Sequence, residues 1–314
     1  MDCASESPAV RSRERRPPFA ILHMPLVTLS QIISQWRTLG TIEPAALVSS
    51  RETLHHAAQL LALAGASYLE PRDDDSHTSM SWLAAFGALA TEPIPAAAPF
   101  RFALQVRELR LVVFDDASAD APAAFSLQGR TRSDALAWMR READRRGLDG
   151  DRLLSRLHFA IAPHPTDEGR PFERATDGTL DELASWYADA SLILDNTRRR
   201  MEGAEPVRCW PHHFDIATLV RLPQVGAVKT IGVGLSPGDE SCAEPYYYVS
   251  LSPKPARRPR PLSVGRWHTE GWWGGALVGS EIVKQRMSDH QAGFVTRFIE
   301  DAVERLLETN DRGA

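Results

Sequence analysis

The segment VRCWPHHFDIATLVRL (residues 207–222) decides the fold, because it has the composition of a long, mostly buried strand. β-Branched and aromatic residues favour strands, and Gly or Pro commonly bounds them. Three later segments share these features: KTIGVGLS (229–236), PYYYVSLSP (245–253) and WWGGALVGSEIV (272–283). The final third of the chain is therefore predicted to be mostly strand.

Helical and strand patterns alternate in the rest of the chain. SSRETLHHAAQLLALAGASYLE (49–70) predicts a helix, and FRFALQVRELRLVVFDD (100–116) alternates with period two, which predicts one long strand or a hairpin. Further helices are predicted at residues 131–148, 179–200 and about 288–308, and a further strand at RLHFAIAPH (156–164). The predicted class is α+β, with a mainly antiparallel sheet and helices packed against it.

Length and composition predict one large core. The chain has 314 residues, of which 43% are hydrophobic and 25% charged, enough to bury a sizeable interior. Residues 1–18 lack periodic apolar positions and are predicted to be a disordered tail. Residues 19–314 are predicted to form a single compact α+β domain.

The net charge indicates which partners to expect, and the cysteines indicate the cellular location. A formal charge of −5 argues against nucleic acid and anionic membranes, which favour basic surfaces. No apolar segment is long enough to predict a membrane span. The cysteines Cys3, Cys209 and Cys242 are widely spaced and form no CxxC pair, so we expect a reducing, cytoplasmic location. Oligomeric state cannot be read from the sequence.

Two His-x-carboxylate pairs suggest a metal site. Residues two apart in a strand share a face, so His213 and Asp215 are expected to point the same way, opposite His212. In RWHTEGWW (266–273), His268 and Glu270 repeat this spacing. Four such ligands would suit a divalent metal such as zinc, iron or manganese. The alternative is that the histidines make structural hydrogen bonds.

An acidic turn precedes three tyrosines in SPGDESCAEPYYYV (236–249). On a functional interpretation, Glu240 or Glu244 is a catalytic base or a further ligand, and either Tyr246 and Tyr248 or Tyr247 alone faces the pocket and binds a polar substrate. The alternative is a solvated turn followed by a strand packed on one side.

Aromatic residues near these groups are typical of a ligand pocket. Trp210 and Trp272 flank the two His-x-carboxylate pairs, and we interpret both as substrate-binding residues. His55 and Gln59 lie four apart on the first long helix and could close the same pocket. The alternatives are core tryptophans and a solvent-exposed polar patch on the helix.

Several common signatures are absent from the sequence, including GxxxxGKS, GxGxxG, HExxH and GxSxG. The order of segments resembles a family of bacterial proteins of unknown function. Members of that family have a His and a Gln four apart on an early helix, a strand with Trp and Phe-Asp, and a Pro-Gly turn before an aromatic strand. They fall here on His55 and Gln59, on Trp210, Phe214 and Asp215, and on Pro237, Gly238 and Tyr246 to Tyr248. The resemblance implies no activity, and His213, His268 and Glu270 are not general features of that family.

The sequence therefore predicts a protein that binds a small polar molecule in a pocket of the C-terminal strands. Metal-assisted hydrolysis is one possible extension, in which the metal lowers the pKa of a bound water molecule. The alternative is a non-catalytic interaction protein whose aromatic residues form an exposed surface patch.

Overall fold

The computed structural model describes residues 28–115, 123–222, 229–255, 257 and 259–311. Its helices are α1 (Leu29–Gln35), α2 (Val48–Tyr68), α3 (Arg132–Arg145), α4 (Thr179–Arg200), α5 (Gly279–Val283) and α6 (Ser288–Asp311). Its strands are β1 (Ser81–Leu83), β2 (Ala88–Ala90), β3 (Phe100–Gln105), β4 (Arg110–Asp115), β5 (Ala123–Ser126), β6 (Arg208–Trp210), β7 (Asp215–Leu222), β8 (Lys229–Ser236), β9 (Tyr246–Ser252), β10 (Arg266–His268) and β11 (Gly274–Val278). The predicted tail, residues 1–18, lies outside the described residues.

The strands form two antiparallel sheets. The first contains β1 to β5 in chain order, and the alternating segment 100–116 supplies the hairpin of β3 and β4. The second has the order β10-β11-β9-β8-β7-β6, with every neighbouring pair antiparallel. The predicted α+β class with mainly antiparallel strands is confirmed.

Helices cover one face of the second sheet, here called the helix face. Helix α4 packs on β7 and β8, and α6 packs on β9 and β11. The strand residues on this face are large, apolar or aromatic, and fully buried: Val233, Leu235, Tyr247, Val249 and Leu277. Burying each such aliphatic side chain contributes about 1.5–3 kcal/mol, so this face supplies much of the stability of the sheet.

Helix α2 is buried around most of its circumference. Its buried residues include Leu54, Ala57, Leu61 and the polar Gln59, so no single apolar stripe describes it. A polar side chain in such a position needs a hydrogen-bond partner, because an unsatisfied buried polar group is costly. The partners of α2 lie in the turn between β6 and β7, which is described below.

Two predicted strands differ from the structure. Segment 207–222 is not continuous, because β6 ends at Trp210 and a turn occupies residues 211–214 before β7 begins at Asp215. Segment 156–164 contains no strand; it lies partly against α2, where Nε2 of His56 donates to the carbonyl of Ala162 at 3.0 Å. Pro211 explains the first difference, because proline cannot donate to a sheet ladder.

Candidate functional site

The face of the six-stranded sheet opposite the helices, here called the cavity face, carries small and polar residues. Directly opposed residues of an antiparallel pair share a face. On this face β8 and β9 place three such pairs in a row: Ser236 opposite Tyr246, Gly234 opposite Tyr248 and Gly232 opposite Ser250. The glycines and serines leave space above the sheet that the large side chains of the helix face would fill.

Tyr248 reaches across β8 because Gly234 has no side chain. A Cβ atom at Gly234 would lie 2.6 Å from both Cζ and the hydroxyl oxygen of Tyr248, closer than such atoms can approach. The phenol ring therefore lies over the backbone of β8, and its hydroxyl donates to Oδ2 of Asp215 on β7. The glycine lets a tyrosine and a carboxylate two strands apart become direct partners.

Asp215 is the most unusual ionisable group on this face. Burial raises the pKa of its carboxyl group, and the Tyr248 hydrogen bond and the nearby His213 offset that effect only in part. Its second oxygen, Oδ1, is inaccessible to solvent and has no hydrogen-bond partner among the described residues. Burial also raises the pKa of Tyr248 well above its ordinary value, so the hydroxyl remains a donor. An unpartnered buried carboxylate oxygen is costly and calls for an explanation.

A tight turn delivers His213 and Asp215 to the cavity face. Phe214 adopts φ of +59°, in the left-handed region that non-glycine residues seldom occupy, and its N–H donates to the carbonyl of Trp210 at 2.7 Å. Its ring is buried and its carbonyl accepts from the Tyr187 hydroxyl at 2.6 Å. The surrounding structure thus holds a backbone conformation that is unfavourable in isolation.

His55 and Gln59 of α2 stabilise the same turn through hydrogen bonds. Nε2 of His55 and Nε2 of Gln59 donate to the carbonyl of Pro211 at 2.8 and 2.7 Å. The His55 ring stacks on Phe214 with ring centroids 5.0 Å apart. Burial lowers the pKa of His55 to about 4, so the imidazole is neutral at neutral pH and serves as a fixed N–H donor. These two residues position the turn, and they do not line the cavity.

Asp239 supplies a second carboxylate from the turn after β8. Its Oδ1 accepts from the N–H groups of Ser241 and Cys242 at 2.7 and 3.0 Å, which fixes the turn. Its Oδ2 accepts from the Tyr246 hydroxyl at 2.5 Å. Burial, followed by this hydrogen bond, raises the pKa of Tyr246. The cavity face therefore contains two tyrosine–carboxylate pairs side by side.

Tryptophans close one side of the face. The Trp272 ring stacks near Tyr246, with centroids 5.8 Å apart, and lies 6.1 Å from Tyr248 in an edge-on arrangement. A Cβ at Gly274 would lie 2.8 Å from Cζ3 of Trp272, so this glycine lets the indole rest on β11. Nε1 of Trp272 is buried without a hydrogen-bond partner among the described residues.

These groups enclose a cavity of about 260 Å³. Its lining residues are His213, Asp215, Ser236, Asp239, Tyr246, Tyr248, Ser250, Trp272 and Trp273. This volume is slightly below the range of about 300–1,000 Å³ that holds drug-sized ligands, so the cavity suits a smaller molecule.

Five of the predicted site residues line this cavity: His213, Asp215, Tyr246, Tyr248 and Trp272. The reason given for pairing His213 with Asp215 was wrong, since a turn and not strand periodicity brings them together. His212 instead contacts Trp210 and Phe159. Trp210 pairs with Asp215 across β6 and β7 but does not line the cavity.

The two predicted catalytic glutamates lie elsewhere. Glu240 is exposed on the turn and does not line the cavity. Glu244 accepts from the N–H and the hydroxyl of Ser280 at 2.5 and 3.0 Å, at the start of α5. A carboxylate at a helix N-terminus is a common stabilising arrangement. Glu244 therefore has a structural role in this geometry.

The four predicted metal ligands do not form one ligand set. Strand β10, which carries His268, is separated from β7 by β11, β9 and β8, roughly 19 Å at a normal strand spacing. His268 stacks on Trp272 at 4.4 Å and contacts the backbone carbonyl of Glu270, whose side chain is exposed. Within the described ranges, no group of three or more His, Cys, Asp or Glu side chains is arranged to hold a metal ion.

Sequence reasoning missed Ser236 and Ser250, and it placed Asp239 in the acidic turn without a role of its own. The signal for Asp239 was present: an aspartate directly after Pro-Gly commonly accepts from backbone N–H groups two and three residues later. Ser236 and Ser250 could be found only with the strand register, because each lies opposite a residue of another strand.

Comparison of the chain with protein-family models, with curated proteins and with solved structures gives no match. The resemblance to a bacterial family of unknown function stays a prediction.

Proposed function

We propose that the cavity on the cavity face binds a small polar molecule. The observation that carries this proposal is the half-buried carboxyl group of Asp215, which accepts from the Tyr248 hydroxyl, at a cavity lined by four aromatic rings. Ligand sites combine apolar walls with a few placed polar groups, and both are present here. A bound ligand with a donor against the Asp215 carboxyl group would offset part of the cost of burying that group.

Burial of the tryptophans favours a cavity over an exposed interaction patch. Trp272 and Trp273 are only partly exposed and line the cavity. The large apolar side chains that are exposed in the described residues are Leu29, Leu154 and Met287, none of them on this face. An aromatic docking surface would instead present its rings to solvent as one contiguous patch.

A catalytic role for Asp215 is the second candidate. A carboxyl group with a raised pKa, next to a histidine in a cleft, is the arrangement expected of a general acid or base. Hydrolysis at this site would rest on Asp215 and His213, since Glu240 and Glu244 lie outside the cavity. Turnover of a bound ligand by the wild type but not by Asp215→Asn would support this candidate.

The proposed setting is the cytoplasm, without nucleic acid or membrane partners. Cys209 and Cys242 are both unpaired, which fits a reducing compartment. The net charge of −5 offers little attraction for polyanions. Among the described residues, no helix is both long and apolar enough to cross a membrane.

A thermal-shift screen against a library of small polar metabolites tests the proposal. We expect hits that stabilise the wild type and lose their effect in Asp215→Asn and Trp272→Ala. Glu108→Gln, an exposed residue in the β3–β4 turn, is the control and should retain them. Hits that persist in both cavity variants would contradict the proposal. They would direct attention to the 540 Å³ groove between α4 and α6, lined by Ile193, Met201 and Val303 among others.

A further inference from the structure

The charge of the cavity is biased towards negative. Asp215 and Asp239 are carboxylates, whereas no lysine or arginine is among the described residues that line the cavity. No described lysine or arginine forms an ion pair with either aspartate. The lining base is His213, which is exposed. Asp239 is exposed and Asp215 is half-buried, so burial of a charge has a cost mainly at Asp215, and a cationic ligand would offset that cost.

The two tyrosine–carboxylate pairs of the cavity present acceptors to a ligand. The hydroxyls of Tyr246 and Tyr248 already donate their protons to Asp239 and Asp215. What these four residues can offer a ligand is therefore lone pairs. The opposing donors include Nε1 of Trp272, which is buried, and the hydroxyls of Ser236 and Ser250. A ligand that donates several hydrogen bonds matches this set better than one that accepts them.

The aromatic rings also favour a cationic ligand. Tyr246, Tyr248 and Trp272 lie within 6.4 Å of one another, measured between ring centroids. Cations are attracted to the faces of Tyr and Trp rings, by about 0.5–2 kcal/mol for each favourable contact. Carboxylates, acceptor-rich walls and clustered rings all favour the same ligand class.

We infer that the ligand of this cavity is a small organic cation whose ammonium group donates to Asp215 and lies against the tyrosine rings. The inference rests on the proposed function, because it names the ligand class of that same site. The volume of 260 Å³ limits the ligand to a small amine or a short amine-bearing segment of a larger molecule.

Three probes of nearly equal size and different charge test this inference: n-butylammonium, n-butanol and butyrate. Each is titrated into the full chain while the indole N–H resonance of Trp272 is followed by NMR. The proteins are the wild type, Asp215→Asn, Asp239→Asn and the remote control Glu108→Gln, which removes the same charge from an exposed position. Both Asn variants keep the shape of the side chain, and a melting curve of each establishes that it is folded.

The expected result is preferential binding of n-butylammonium, at least about tenfold tighter than butanol or butyrate, with a loss of about tenfold or more in Asp215→Asn. Asp239→Asn should weaken binding less, and Glu108→Gln should leave it unchanged. Binding of butanol or butyrate at Trp272 as tight as that of n-butylammonium would overturn the cation inference and leave the proposed function standing. Failure of n-butylammonium to shift the Trp272 resonance would also overturn it, and the metabolite screen would then decide the proposed function separately.

Discussion

The two faces of the C-terminal sheet are built from alternate residues of the same strands, yet they differ in kind. On β8 and β9 the helix face has Val233, Leu235, Tyr247 and Val249, which are fully buried. The cavity face of the same strands has Gly232, Gly234, Ser236, Tyr248 and Ser250. One face is filled by large side chains for burial, whereas the other keeps space and polar groups. Packing that stabilises the fold therefore lies on one face of the sheet, and the proposed binding site lies on the other.

The largest expected difference between the faces is in core packing. Leu235→Ala should lower the free energy of unfolding by about 2–5 kcal/mol, because it removes a fully buried side chain beneath the helices. Ser250→Ala on the cavity face should change it by less than about 0.5 kcal/mol. Urea unfolding of both variants measures the contrast. Equal losses would show that the cavity face contributes to stability as the helix face does.

Each face also has its own aspartate with a raised pKa, and the one near the helix face makes stability depend on pH. Burial raises the pKa of Asp189 on α4 to about 8, and its Oδ2 has no hydrogen-bond partner within the described ranges. The folded state therefore holds a proton that the unfolded state loses above about pH 4. Stability attributable to this group is fully present below pH 4 and is lost as the pH rises to about 8.

Asp189→Asn should abolish this component. Urea unfolding at pH 5 and pH 8 should show a smaller decline in the variant than in the wild type, because asparagine does not titrate. Comparing the two proteins cancels other titrating groups, such as His55, whose lowered pKa acts in the opposite direction. An equal decline in both proteins would mean that Asp189 is not the group responsible.

A smaller loss is expected from a methyl group added to the cavity face. In Gly234→Ala the new Cβ would meet Tyr248 at 2.6 Å and the carbonyl oxygen of Ile216 at 2.8 Å. Relief of that overlap should cost about 1–3 kcal/mol and displace the Tyr248 ring from Asp215. The NMR resonances of Tyr248 and a melting curve report both effects. An unchanged Tyr248 environment would contradict the claim that Gly234 makes room for this ring.

Local patterns in the sequence predicted much of this fold. The hairpin of β3 and β4 follows from period-two alternation in segment 100–116, and α3 lies within the predicted helix 131–148, with Thr131 as the N-cap whose hydroxyl accepts from the N–H of Asp134. These features depend on residues close in the chain. The sequence also marked His213, Asp215, Tyr246, Tyr248 and Trp272 as neighbours of one pocket, which the structure brings together.

Features that depend on distant contacts could not be predicted. Phe214 adopts its left-handed conformation because α2 and α4 hold the turn through His55, Gln59 and Tyr187, all far away in sequence. Strand order is equally non-local, and it places His268 on the edge strand β10, four strands away from β7, which carries Asp215. Pro211 should have excluded a continuous strand, since an interior proline removes a ladder hydrogen bond.

The central claim is that Asp215 is retained for a ligand and not for stability, and the unfolding free energy of Asp215→Asn at pH 8 tests it most directly. Asparagine can still accept from Tyr248 but has no charge to bury, so the variant should be at least as stable as the wild type, as is common for binding residues. A loss of more than about 1 kcal/mol, comparable to breaking a structural hydrogen bond, would show that the Tyr248–Asp215 pair serves the fold and would contradict the claim.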